Sequence, residues 1–135
     1  MNFCDTNIFV YAVSIAPEDA EKRERALALL QEADASLSLQ VIQEFINTCL
    51  NKKRIGQGVD TVLASVRQML LFPCLMPTPE TVFRAVEIHQ RYQTNYWDAT
   101  ILAAAQELGC DTLYTEDLNH GQDYDGVKVI NPFLE

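Results

Sequence analysis

The chain has 135 residues, 48% of them hydrophobic, and carries a formal net charge of −9. That length suits a single domain with a real core and is too short for two, while the acidic balance excludes broad electrostatic binding of nucleic acid. No apolar run approaches the ~20 residues of a membrane span, and Met1-Asn2-Phe3-Cys4-Asp5 has neither a basic opening nor a long apolar stretch, so no signal peptide, no membrane partner and a cytosolic location are expected.

In chain order, Phe3-Cys4 ends a short strand at Asp5, and Ile8 to Val13 reads as a short apolar helix. After the Pro17 loop, an amphipathic helix is predicted from about Glu18 to Ala33, with Ala26, Leu29, Leu30 and Ala33 on one face. Ser36-Leu37-Ser38-Leu39 alternates as a strand does, and a helix follows from about Val41 to Arg54, stopped by Gly56 and Gly58. Val59 to Phe72 continues as a helix with Val62, Val66, Met69 and Leu70 in register. Cys74-Leu75-Met76 is a weak strand between prolines. Thr78 and Pro79 are N-cap and first residue of a helix reaching about Gln93. Asn95 to Leu108 is the clearest helix, closed by Gly109. Thr112 to Thr115 and Val127 to Ile130 are the last strands, joined by a polar loop from Asn119 to Gly126. Strands separated by helices imply parallel pairing and a three-layer α/β/α domain over residues 1–135.

Cys4, Cys49, Cys74 and Cys110 are scattered through apolar stretches without a C-x-x-C pair, so buried free thiols are expected. Lys52-Lys53-Arg54 is the best basic cluster; it suits either a helix C-terminus or a phosphate grip.

Four acids stand where apolar runs give way to helix or loop: Asp5, Glu44, Asp98 and Asp117. Each alone has a structural reading. Asp5 caps the next helix, Asn95-x-x-Asp98 forms a capping-box variant, Glu44 complements a helix dipole, and Asp117 opens a turn. Together they fall at three strand ends and the first turn of an apolar helix, the edge at which open α/β sheets bind ligands. Two carboxylates ~4 Å apart repel by about 4 kcal/mol at an effective dielectric of 20. Oxygen ligands without thiolate or imidazole call for a hard cation, Mg²⁺ or Mn²⁺, and such a cation usually handles phosphate.

Asp5-Thr6-Asn7, Gln40-Val41-Ile42-Gln43-Glu44-Phe45, Tyr96-Trp97-Asp98-Ala99-Thr100 and Glu116-Asp117-Leu118-Asn119-His120-Gly121 resemble, in order, the motifs of PIN-domain nucleases. The similarity is greatest to the VapC toxins of bacterial toxin–antitoxin pairs. The resemblance implies a five-stranded parallel sheet in the order 3-2-1-4-5 and a Mg²⁺- or Mn²⁺-dependent endoribonuclease site at the strand ends. Asp5 and Asp98 would be the principal metal ligands, with Glu44 and Asp117 completing the set directly or through water. Thr6, Asn7 and Thr115 would orient ligands or waters. Glu116 and Asp117 compete for the fourth acidic position, and Thr115 two residues earlier favours Asp117. His120 is a candidate contact to the RNA. The resemblance also implies a cognate antitoxin lying across the groove and a homodimer.

The alternatives are a PIN nuclease of RNA processing without a toxin role, a PIN fold that only binds a partner, and a phospho-receiver signalling domain. The last would need an Asp after the third strand, where Met76-Pro77-Thr78-Pro79 stands instead. A metal-free ribonuclease would want a His pair, and the only histidines are His89, expected to be structural, and His120.

Overall fold

Phe3 and Cys4 are wholly buried in the first strand, and the rest of the sheet is laid down around it. A computed structural model of the chain describes residues 1–134. Its elements are β1 (Asn2–Cys4), α1 (Thr6–Val13), α2 (Ala20–Glu32), β2 (Ala35–Ser38), α3 (Leu39–Asn51), α4 (Val59–Met69), β3 (Cys74–Leu75), α5 (Pro79–Tyr92), α6 (Tyr96–Glu107), β4 (Thr112–Tyr114), β5 (Asp123–Tyr124) and β6 (Val127–Ile130). The sheet order is β3-β2-β1-β4-β6-β5. Every neighbouring pair is parallel except β5 with β6.

The expected order holds for the five parallel strands, but a sixth strand extends the sheet. Part of the predicted loop from Asn119 to Gly126 is β5, and Asp125-Gly126 forms a two-residue hairpin to β6 with φ of 51° and 96°. An Asp-Gly turn between strand residues is a short-range hairpin signal, because the primed turns that match strand twist need positive φ at both positions. Tyr124 is thereby carried into the core.

Smaller differences have local causes. Pro17–Asp19 is a 3-10 turn, so α2 starts at Ala20 rather than Glu18. Ser38 caps α3 and accepts from the Val41 N–H, which pulls the helix start back to Leu39. Its end at Asn51 leaves Lys53–Ile55 as another 3-10 turn, terminated by Gly56 at φ 75°. Thr78 and Thr81 make the reciprocal capping box that opens α5. On α4, Val62 and Met69 enter the core, whereas Leu70 is half exposed. All four cysteines are free.

Two helical layers cover the sheet. α1 packs against α2 and α3, while α5 packs on α6, and α6 lies against β2, β4 and β6. Ala99, Ala103, Ala104 and Ala105 of α6 are all buried beside Ile101 and Leu102. A helix apolar on nearly every side belongs between two layers, and its alanines let it approach the sheet closely. That packing sets the first turn of α6 above the C-terminal edge of the strands.

Candidate active site

Asp5 and Thr115 are the residues just beyond β1 and β4, which are neighbours in the sheet. Their N–H groups extend the ladder by one rung each, Asp5 to the Tyr114 carbonyl at 3.0 Å and Thr115 to the Ile130 carbonyl at 3.1 Å. The side chains therefore meet, and the Thr115 hydroxyl donates to Asp5 Oδ2 at 2.8 Å. Asp5 Oδ1 accepts from the Thr6 N–H at 2.7 Å, so the same carboxylate caps α1 and accepts from Thr115.

Thr115 is the hub. Its oxygen accepts from the Asp117 N–H at 3.1 Å and from Asn7 Nδ2 at 3.3 Å. Asn7 Nδ2 also donates to Asp117 Oδ2 at 3.1 Å. On the other flank the Thr6 hydroxyl donates to Glu44 Oε2 at 2.9 Å. Asp98 sits in the first turn of α6 and makes no side-chain hydrogen bond among the described residues. The expected Asn95–Asp98 capping box is not formed: Asn95 Oδ1 accepts from the Trp97 N–H at 2.7 Å.

Electrostatics tie the four acids into one group. Burial pushes Asp5 up to about 7; hydrogen bonds from Thr115 and Thr6 oppose this, and the charges of Asp117 and Glu44 add to it. Asp98 is raised by burial and then by Asp117 and Glu44. Asp117 is raised by partial burial of its carboxyl, then held down by Asn7 and pushed up by Glu116 and Glu44. No lysine or arginine contributes to any of these three shifts.

Glu116 faces elsewhere. Lys22 Nζ donates to its Oε2 at 2.9 Å and the Tyr11 hydroxyl to its Oε1 at 2.7 Å, with Lys22 over the Tyr11 ring. Of the two adjacent acids, Asp117 bonds into the group around Thr115 and Glu116 is already neutralised. The His120 ring is engaged too, its Nδ1 accepting from the Asn131 N–H at 3.0 Å. His89 bonds the Thr94 carbonyl. Neither ring hydrogen-bonds to the acid group among the described residues. Arg54, from the basic cluster, pairs with buried Asp19.

A hard divalent cation fits this donor set, but loosely. Among the described residues no three His, Cys, Asp or Glu side chains stand close enough to hold one ion together. Mg²⁺ commonly binds through one or two carboxylates and keeps several waters, so such a spread is compatible with it. Asn7 Oδ1 is buried and accepts no hydrogen bond, an acceptor on the same side chain that donates to Asp117. Buried oxygens of that kind ordinarily find a donor, which the water shell of an ion would provide.

Gln40 stands in the same sequence motif as Glu44 but without an expected role, and its Nε2 donates to Glu44 Oε1 at 2.8 Å. The signal was available: residues four apart on a helix share a face. Away from the acids, α2 and α4 flank an apolar cleft of about 570 Å³ lined by Phe9, Leu27, Leu30, Met69, Leu71 and Phe72. Leu71 there is 85% exposed.

A mostly parallel α/β/α sandwich with acids gathered beyond β1, on α3, at the start of α6 and after β4 defines a recognisable class of small α/β domains. Residues 3–122 match the PIN domain family, and the chain belongs to it. No curated protein sequence matches the chain. Among solved structures it is similar to a toxin–antitoxin complex from Klebsiella pneumoniae, with a TM-score of 0.71 at 20% identity over 98% of each chain. It is also similar to VapC20 of Mycobacterium tuberculosis, a toxin that cleaves the sarcin–ricin loop (TM-score 0.69, 17% identity, 87% of this chain and 92% of that one). VapBC2 from Rickettsia felis, bound to a fragment of its promoter DNA, gives a TM-score of 0.64 at 16% identity, covering 95% and 96%. At such identities these likenesses concern the fold.

Proposed function

We propose that this PIN domain is a Mg²⁺- or Mn²⁺-dependent endoribonuclease and the toxin of a toxin–antitoxin pair. The observation that supports the reading is the acid group itself: Asp5, Asp98 and Asp117 all have raised pKa values, the charge of Glu44 adds to each, and no lysine or arginine relieves them. Family membership and the similarity to structures of toxins support it.

In this reading Asp5 and Asp98 hold the ion, and Glu44 and Asp117 complete its surroundings directly or through water. Thr115, Thr6 and Asn7 keep those carboxylates aimed by the hydrogen bonds already described. When bound, a divalent cation lowers the pKa of a water molecule and offsets charge on the phosphate oxygens. The protein's own part is to exclude competing cations from the groove and to leave Asp98 with free acceptor oxygens. RNA is the proposed substrate, reached locally because a chain of net charge −9 repels it elsewhere. His120 is retained as a candidate contact to that RNA.

The apolar cleft between α2 and α4 suits an amphipathic segment of an antitoxin, and its exposed Leu71 is a natural anchor. A homodimer is proposed as the working form. Four free cysteines, three of them buried and Cys74 partly so, accord with a reducing cytoplasm as the place of action, and among the described residues no helix is long and apolar enough to cross a membrane.

The test is cleavage of a panel of structured and unstructured RNAs with Mn²⁺ or Mg²⁺. Asp98→Asn should lower the rate by at least about 100-fold, and EDTA should abolish it. Cleavage that survives complete chelation would overturn the reading.

A further inference from the structure

The starts of α3 and α6 belong to different layers, yet one side chain joins them. Gln40 Nε2 donates to Glu44 Oε1 at 2.8 Å and to the Trp97 carbonyl at 3.4 Å. Gln40 Oε1 accepts from the Thr100 hydroxyl, which also lies 2.6 Å from the Trp97 carbonyl. The orientation of the amide is fixed by its neighbours. Turned over, it would set its oxygen against the Glu44 carboxylate. Glu44 is held at both oxygens, by Gln40 on Oε1 and by Thr6 on Oε2. Asp98, one residue beyond the clamped Trp97, makes no side-chain hydrogen bond among the described residues.

From this we infer that Gln40 is a positioning residue for the groove: a clamp that aims Glu44 and fixes the first turn of α6, and with it Asp98, relative to α3. The inference rests on the reading of the acid group as an ion site, and it adds a residue that this reading does not use. Gln40 need not touch ion or RNA to act. It acts through Glu44 and through the backbone that carries Asp98. Outer partners of this sort typically change metal affinity 10–100-fold when removed.

The clamp can be tested on the full chain with MnCl₂ as the probe, measuring affinity by calorimetry alongside RNA cleavage. Gln40→Ala should weaken Mn²⁺ binding by about tenfold, and Thr100→Val should weaken it less but in the same direction. If Gln40 works through Glu44, adding Gln40→Ala to Glu44→Ala should produce much less than the tenfold loss seen in the wild-type background. An undiminished loss in both the Glu44→Ala and the Thr100→Val backgrounds would overturn the inference, as would unchanged affinity in the single variant while the wild type binds and cleaves.

A second readout needs no ion. Trp97 is the sole tryptophan and is 61% exposed, so its fluorescence anisotropy in the metal-free protein reports the grip on α6. Gln40→Ala should lower that anisotropy at unchanged secondary structure. Should the wild type bind no Mn²⁺, the nuclease reading falls, and the clamp is then decided by this signal: no change in Trp97 anisotropy sinks it as well.

Discussion

Two carboxylates are buried to almost the same depth, Asp5 at 5% exposed and Asp19 at 6%, and the protein treats them in opposite ways. Asp19 receives the Ser14 hydroxyl at 2.6 Å and an ion pair from Arg54, across the junction of α2 with the turn after α3. Asp5 receives only neutral donors and faces two further acids, and its pKa climbs to about 7. The chain thus has the means to pair an acid with a cation and uses them at buried Asp19 and at part-buried Glu116 through Lys22, but not among Asp5, Asp98 and Asp117. Asp19 and Glu116 are paired from within, whereas no lysine or arginine offsets Asp5, Asp98 and Asp117, in keeping with the ion site proposed above.

The sharpest way to break this contrast is pH. Asp5 rises from 3.8 to about 7 on folding, worth roughly 4 kcal/mol between its protonation states, and Asp98 and Asp117 move the same way. Between about pH 4 and 7 the folded chain therefore binds more protons than the unfolded one, so stability falls as pH rises. Chemical denaturation of metal-free protein should show greater stability near pH 5 than near pH 8. A flat or rising profile would mean that the groove acids are not strained.

Arg54→Ala should cost about 2–3 kcal/mol, since Asp19 is left buried without its charge partner while the exposed part of the arginine limits the loss. The melting temperature should drop without any change in ion affinity. Next in size, Mg²⁺ or Mn²⁺ at 100 times its dissociation constant should stabilise the wild type by about 2.7 kcal/mol. No shift at millimolar metal would argue that the groove is not an ion site.

The smallest expected effect is the most discriminating. Asp5→Asn keeps an N-cap for α1 because asparagine caps as well as aspartate does. Removing the buried charge, and with it the repulsion from Asp117 and Glu44, should leave the metal-free protein equally stable or more stable, with the metal-induced shift lost. A destabilised variant would make the carboxylate structural, like that of Asp19.

Much of the architecture was legible from local pattern. Period-3.6 apolar faces placed the helices, and Thr78-Pro79 and Gly109 punctuated two of them. The five parallel strands follow from alternation with helices, whereas β5 lies in a polar stretch whose one marker is the Asp125-Gly126 hairpin turn. Residue types and positions also singled out Asp5, Glu44, Asp98 and Asp117 as a set. What sequence could not settle was direction: Glu116 and Asp117 are adjacent and chemically alike, and only the fold turns one toward Lys22 and the other toward Asn7.

The same division holds for Arg54, Gln40 and His120. A basic run reads alike whether it meets phosphate or a buried acid 35 residues away, and Asp19 alone decides it. Periodicity and capping are local in the chain, so the order of residues determined the elements and put acids at their ends. Pairing partners lie tens of residues apart and depend on how the layers stack, so the tertiary structure alone decided which charges are satisfied and which remain open.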